Sequence, residues 1–214
     1  MTAKHLFLFG GSPPFNDTLG EKFAKYAGNE KGKVAILFIE REGWKEYMKI
    51  YTSVLKRFGL KKYEYIALSS SPSEEDIEQV KTSSGIIISG GATELYRSYI
   101  VKTGIGVAVK ELYENGVPVA GFSAGALIAP EHCVIPPIDN SKNKQLFLSG
   151  LGLIKNCTIS VHYTKWNEEQ NLRAAIEKLR VPIGYGIDDE GSIYFRNEKS
   201  IECDSHNYYV LYHL

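Results

Sequence analysis

The run Val34-Ala35-Ile36-Leu37-Phe38-Ile39 contains no polar side chain. A strand with one wet face alternates apolar and polar residues. An unbroken apolar run needs cover on both faces, as strands of a parallel sheet flanked by helices have. Shorter strand-like runs recur at Leu6–Phe9, Tyr63–Leu68, Gly85–Ser89, Val117–Ala120 and Cys157–Val161. Helical spacing fills the intervals. Thr18–Tyr26 follows Asp17, a candidate cap. Trp44–Phe58 repeats Tyr47, Ile50, Tyr51, Val54 and Leu55 and stops at Gly59. A short helix begins at Ser71–Ser73 with Glu74-Glu75 in its first turn, where the macrodipole favours acids. A helical region after Gly90-Gly91 is predicted to break near Gly104-Ile105-Gly106 and resume over Val107–Tyr113. Glu168–Leu179 carries Leu172, Ala175, Ile176 and Leu179 on one face. The pattern predicts a doubly wound α/β fold, its sheet mostly parallel and its helices on both faces. Ile183–Ile187, Ser192–Phe195, Ser200–Cys203 and Tyr208–Leu211 read as antiparallel edge strands near the C-terminus, and Pro130–Asn143 as an irregular surface excursion. With no repeat or linker, residues 1–214 are expected to form a single domain.

The fifth apolar run leads into Gly121-Phe122-Ser123-Ala124-Gly125, followed by Ala126-Leu127-Ile128-Ala129. This is the G-x-S-x-G pattern of a nucleophile elbow, in which a strand turns sharply into a helix with serine at the apex. The serine must take a strained backbone conformation, and glycines flank it because side chains there would strike the neighbouring strand or helix. The Ala124 N–H opens the following helix, where it can face a developing oxyanion. A serine nucleophile needs a base and a carboxylate that orients it. Of the five histidines, His5 precedes the first strand, His132 follows the elbow helix, and His206 and His213 fall in the terminal hairpin region. His162 alone ends a predicted strand at the sheet edge where α/β active sites assemble. Asp188, Asp189 and Glu190 follow the strand Ile183–Ile187, and any of them is placed to be the carboxylate.

Composition removes several other classes of function. Twenty-five basic residues balance 25 acidic ones, so no overall field draws nucleic acid or an anionic membrane. No apolar stretch approaches the roughly 20 residues of a membrane span, and Leu6–Phe9 is too short for a signal peptide's apolar region. Cys133, Cys157 and Cys203 are far apart and odd in number, which suits buried thiols in a reducing cytoplasm. No His, Cys, Asp and Glu spacing suggests a metal, and no cofactor is expected. Gly10-Gly11-Ser12 lacks the lysine-serine pair of a phosphate loop and reads as a bend lining the pocket.

The order Ser…His…acid differs from the Ser…acid…His of α/β-hydrolases. It resembles the class I glutamine amidotransferase-like fold and, within it, peptidase family S51, which includes dipeptidase E and the cyanophycinases. The resemblance covers nearly the whole chain. It rests on Ile88-Ser89-Gly90-Gly91, the elbow through Ala126, His162-Tyr163-Thr164 and Asp189-Glu190-Gly191-Ser192. It implies Ser123 as nucleophile, His162 as general base, Glu190 as orienting acid, and the N–H groups of Gly91 and Ala124 as the oxyanion hole. The expected activity is that of a serine-type peptidase cleaving short peptides through an acyl-enzyme at Ser123. The alternatives are a serine esterase or amidase and a non-catalytic binding domain. The expected partner is a small peptide substrate, with no nucleic acid and no membrane, acting on a monomer or homodimer. The segment after His162 offers Lys165 and Arg173 as candidate cations for an N-terminal aspartate, and at most a modest preference for Asp-X is expected.

Overall fold

The computed structural model describes residues 2–203 and 207–213, so His206 lies outside the described residues. In chain order the elements are β1 (His5–Phe9), α1 (Asp17–Tyr26), β2 (Lys33–Phe38), α2 (Trp44–Arg57), β3 (Lys62–Ala67), α3 (Glu74–Lys81) and β4 (Gly85–Ile88). Then come α4 (Thr93–Tyr96), a π-helical turn (Arg97–Val101), α5 (Gly104–Glu114), β5 (Val119–Phe122), α6 (Ala124–Ile128), β6 (His132–Ile135) and β7 (Leu146–Ser149). The chain closes with β8 (Cys157–Val161), α7 (Glu169–Leu179), β9 (Ile183–Ile187), β10 (Ser192–Arg196), β11 (Lys199–Cys203) and β12 (Tyr208–Tyr212).

The main sheet has seven strands in the order β11-β10-β1-β5-β4-β2-β3. Its five strands from β1 to β3 are parallel, and β10 and β11 extend it antiparallel. The apolar runs have cover on both faces, as their composition requires. Phe7, Phe9, Val34, Ile36 and Ile87 pack with Leu19 and Phe23 of α1 and with Tyr51, Val54 and Leu55 of α2. The alternate residues Leu6, Leu8, Ala35, Leu37, Ile86 and Ile88 pack with Val80 of α3, Tyr96 of α4, Ala108 and Val109 of α5, and α6.

The C-terminal half departs from the sequence reading in two respects. Only β10 and β11 extend the main sheet. β9 and β12 join β8 in a separate sheet of order β12-β9-β8, parallel between β8 and β9. This small sheet has its own two-sided cover. Ile159, Val161 and Ile187 enter the large core with α6, while Leu172 and Ile176 of α7 close its other side with Tyr163 and Val181. Nor is Pro130–Asn143 wholly irregular, because β6 pairs antiparallel with β7 and buries Cys133 and Ile135. Smaller shifts have local causes. Asn16 rather than Asp17 caps α1, its side chain accepting the Leu19 N–H at 2.8 Å. α5 begins at Gly104 rather than Val107, because Ile105 is already buried in the core.

Candidate active site

The place of Ser123, the candidate nucleophile, is fixed by backbone contact. Ser123 links β5 to α6 with φ 47° and ψ −103°, a region that costs a non-glycine residue roughly 1–3 kcal/mol. A side chain at Gly121 would meet the Gly125 carbonyl oxygen at 2.5 Å, and one at Gly125 would collide with the carbonyl of Ile88. α6 therefore presses directly on β5 and β4. Below the apex Phe122 stacks on Phe9, with ring centroids 4.3 Å apart, and takes the edge of Tyr51 at 5.0 Å. The Ser123 N–H donates to the Phe9 carbonyl at 2.9 Å.

The histidine arrives from the other sheet. His162 follows β8 with φ 48°, and its N–H donates to the Gly10 carbonyl at 3.2 Å. The carboxyl end of β1 thus spaces Ser123 from His162, one peptide unit serving each. Gly10 and Gly11 are required there, since side chains on them would collide with the carbonyls of Ile187, Asp188 and Asp189. The glycine pair is a close contact between β1 and the acidic loop, which refines its reading as a pocket-lining bend.

His162 Nε2 lies 2.9 Å from Ser123 Oγ, and His162 Nδ1 is hydrogen-bonded to Asp189 Oδ1. The carboxylate on the imidazole is therefore that of Asp189, where the resemblance placed Glu190. The local turn explains the difference. The Gly191 N–H donates to the Asp188 carbonyl at 2.9 Å, making Asp189 and Glu190 the two corners of a tight turn. One corner faces His162, and the other leaves Glu190 exposed. Asp188 anchors the histidine loop, accepting the Thr164 N–H at 2.7 Å and the Thr164 hydroxyl at 2.9 Å. Trp166 covers the imidazole, ring centroids 4.2 Å apart.

The two candidate cations are engaged elsewhere. Lys165 Nζ sits 3.4 Å from Asp189 Oδ2, behind the imidazole. Arg173 pairs with Glu169 one turn away on α7 and borders a groove with Ile176, Tyr212 and His213. His5 bonds to the Tyr194 hydroxyl at 2.7 Å and stacks on Tyr26, a packed core histidine. Burial pushes the thiols of Cys133 and Cys157 up to about 12, so neither is a nucleophile at neutral pH. Among the described residues no group of His, Cys, Asp and Glu is arranged to hold a metal ion.

Two features of the site were not anticipated. Asp139, in the segment between β6 and β7, accepts a 2.5 Å hydrogen bond from the buried Thr93 hydroxyl. Burial raises the Asp139 carboxyl above 3.8, while Thr93 and the charge of His162 pull it back. It is thus near enough to the imidazole to feel it. The loop after β4 is gripped from both sides. The Gly90 N–H donates to Tyr51 Oη at 3.2 Å, and the Tyr96 hydroxyl donates to the Gly90 carbonyl at 3.1 Å. Tyr51 at its helical spacing reads as core, and only the fold brings its hydroxyl and that of Tyr96 to this loop.

A serine on an elbow, hydrogen-bonded to a histidine that is itself bonded to a carboxylate, is the constellation of a serine hydrolase. The sequence pattern of peptidase family S51 matches residues 6–203: the chain belongs to that family and is a serine-type peptidase. Its fold is shared with a peptidase from an acI-B1 Actinobacterium, at a TM-score of 0.68 and 19% identity over 98% of this chain and 88% of that one. A candidate peptidase E protein from Listeria monocytogenes EGD-e shares it as well, at a TM-score of 0.66 and 21% identity over 94% of this chain and 98% of that one. Among curated protein sequences none matches the chain significantly. Among the described residues no helix is long and apolar enough to cross a membrane.

Proposed function

We propose that the chain is a dipeptidase-like serine peptidase that cleaves short peptides with a free amino terminus through an acyl-enzyme at Ser123. The observation that carries this reading is the 2.9 Å contact of Ser123 Oγ with His162 Nε2 on a strained elbow, backed by Asp189. Ser123 Oγ attacks the scissile carbonyl carbon as His162 Nε2 takes its proton, and Asp189 steadies the resulting imidazolium. The carbonyl oxygen becomes an oxyanion facing the N–H groups of Gly91 and Ala124. On collapse the C–N bond breaks and His162 returns the proton to the leaving amine. Water, deprotonated by the same imidazole, then attacks the ester, and the acid product leaves as Ser123 regains its proton.

Asp139 supports the finer part of the reading. A half-buried carboxylate tied to Thr93 and within the field of His162 suits a substrate α-ammonium, which would offset the cost of its own burial. An N-terminal aspartate would need a cation as well. With Lys165 on Asp189 and Arg173 on Glu169, at most a modest preference for Asp-X is expected.

The test is fluorophosphonate labelling followed by a dipeptide panel. Wild-type protein should label and hydrolyse Ala-Leu, while Ser123→Ala should do neither and lose on the order of 10⁶ in kcat. Turnover retained by that variant would overturn the reading. An Asp-Leu over Ala-Leu ratio above about 30, worth roughly 2 kcal/mol, would overturn the selectivity.

A further inference from the structure

We propose that Tyr96 is a positioning residue for the oxyanion hole: by holding the Gly90 carbonyl, its hydroxyl aims the Gly91 N–H at the reacting carbonyl. This rests on the peptidase reading and adds a residue to it. The argument is one of covalent geometry. The Gly90 C=O and the Gly91 N–H belong to one peptide unit, which is planar, and in a trans unit the two bonds point in opposite directions. Whatever fixes the carbonyl therefore fixes the N–H. The Tyr96 hydroxyl donates to that carbonyl at 3.1 Å and accepts the Ile39 N–H at 3.2 Å. On the far side of the loop, a side chain added to Gly90 would lie 3.3 Å from Ser123 Cβ, so this peptide borders the nucleophile.

Such a grip is needed because the unit lies between two glycines, the residues that least resist a peptide flip. Gly91 has φ 154°, and a side chain there would come within 2.9 Å of Tyr96 Cε2, so the ring also lies against the loop. Tyr51 holds the preceding unit through the Gly90 N–H. Nor is the Tyr96 hydroxyl needed to join the strands. β2 and β4 are paired directly, and the Ser89 hydroxyl already donates to the Leu37 carbonyl at 2.6 Å. A buried phenylalanine would fill the same core volume. The hydroxyl's particular contribution is the direction of one N–H.

The experiment uses the full chain and four variants. Tyr96→Phe keeps the ring and removes the grip. It should lower kcat about ten- to a hundred-fold while KM stays within about three-fold, because one oxyanion donor is worth about 10²–10³ and here it is misaimed rather than deleted. Affinity for a peptide boronic acid, whose tetrahedral adduct on Ser123 presents an oxygen to the same donors, should fall by a similar factor. Tyr96→4-aminophenylalanine restores a donor and should recover most of kcat. Tyr113→Phe, which removes a buried hydroxyl with no hydrogen-bond partner among the described residues, should change neither parameter. A Tyr96→Phe protein with kcat within two-fold of wild type would overturn the inference. So would one that fails to fold, or one whose KM and melting temperature shift while boronate affinity does not. Fluorophosphonate labelling of wild type and of Ser123→Ala separates the two levels. If labelling depends on Ser123 and Tyr96→Phe is unimpaired, only the positioning role falls. If wild type neither labels nor hydrolyses, the peptidase reading falls and takes this role with it.

Discussion

The two arms of the site aim their reacting groups by different means. On the nucleophile's arm, β5, α6 and the end of β4 are buried to the last residue around Ser123, and they touch backbone to backbone across Gly121 and Gly125. On the acid's arm the backbone also closes on β1 at Gly10 and Gly11, but the contacts that aim the polar groups are made by side chains near solvent: Asp188 on Thr164, Asp189 on His162, and Lys165 on Asp189, whose side chain is 40% exposed. A close-packed joint has two states, formed or broken, because interiors resist small changes of volume. A joint of exposed polar groups is graded. Substitutions on the first arm should therefore cost stability, and those on the second should alter rate while leaving the fold intact.

The largest expected effect sharpens the contrast within a single turn. Asp189→Asn should lower kcat by about 10⁴, some 5.5 kcal/mol, because the amide cannot hold the required tautomer or stabilise an imidazolium. Glu190→Gln, at the next corner, should leave kcat within two-fold. A reversal of those two results in steady-state assays would reinstate Glu190 as the orienting acid. Gly125→Ala comes next and should act on the fold. Urea unfolding should show a loss of at least about 1–3 kcal/mol, since the added methyl meets the Ile88 carbonyl with no room to move. Full stability in that variant would break the idea of a rigid nucleophile arm.

Asp139→Asn should reduce kcat/KM about ten- to a hundred-fold for dipeptides with a free amino group, and little for their N-acetyl counterparts. The pH dependence has a definite sign. Because burial raises the Asp139 carboxyl, wild-type recognition should begin to fail on acidification at a pH above its ordinary 3.8, and KM should rise there. An unchanged ratio between free and acetylated substrates would remove Asp139 from substrate binding. The smallest effect belongs to Lys165→Ala. With the lysine 65% exposed, the pair is worth about 0–1 kcal/mol, so kcat should change less than about five-fold and the difference should fade in high salt.

The contrast also explains what could be read from the chain. The parallel sheet was visible because residues such as those of Val34–Phe38 need apolar cover on both faces whatever the rest of the chain does. The elbow was visible because backbone contact leaves only glycine at positions 121 and 125. His162 was found from its place at a strand end. The small sheet was harder to see, since Ile183–Ile187 pairs with β8 and Tyr208–Tyr212 with Ile183–Ile187 as readily as either would with an edge of the main sheet, and their sequences do not name a partner. The choice among Asp188, Asp189 and Glu190 depended on a turn closed by Gly191 to Asp188, a feature of three dimensions that the resemblance to family S51 did not carry. Asp139 was hidden for a related reason: the contact that places it is with Thr93, 46 residues earlier in the chain.

The Trp166 ring against His162 has a practical consequence. The chain has two tryptophans, and Trp44 lies at the start of α2, packed on Phe38. A Trp44→Phe protein would therefore carry a single indole, seated on His162. Imidazolium quenches indole emission more strongly than neutral imidazole does, so the fluorescence of that variant should report the proton on His162 directly, without substrate or label. Mixed rapidly with a peptide, the same protein would dim while the imidazole holds the serine's proton and brighten as that proton passes to the leaving amine.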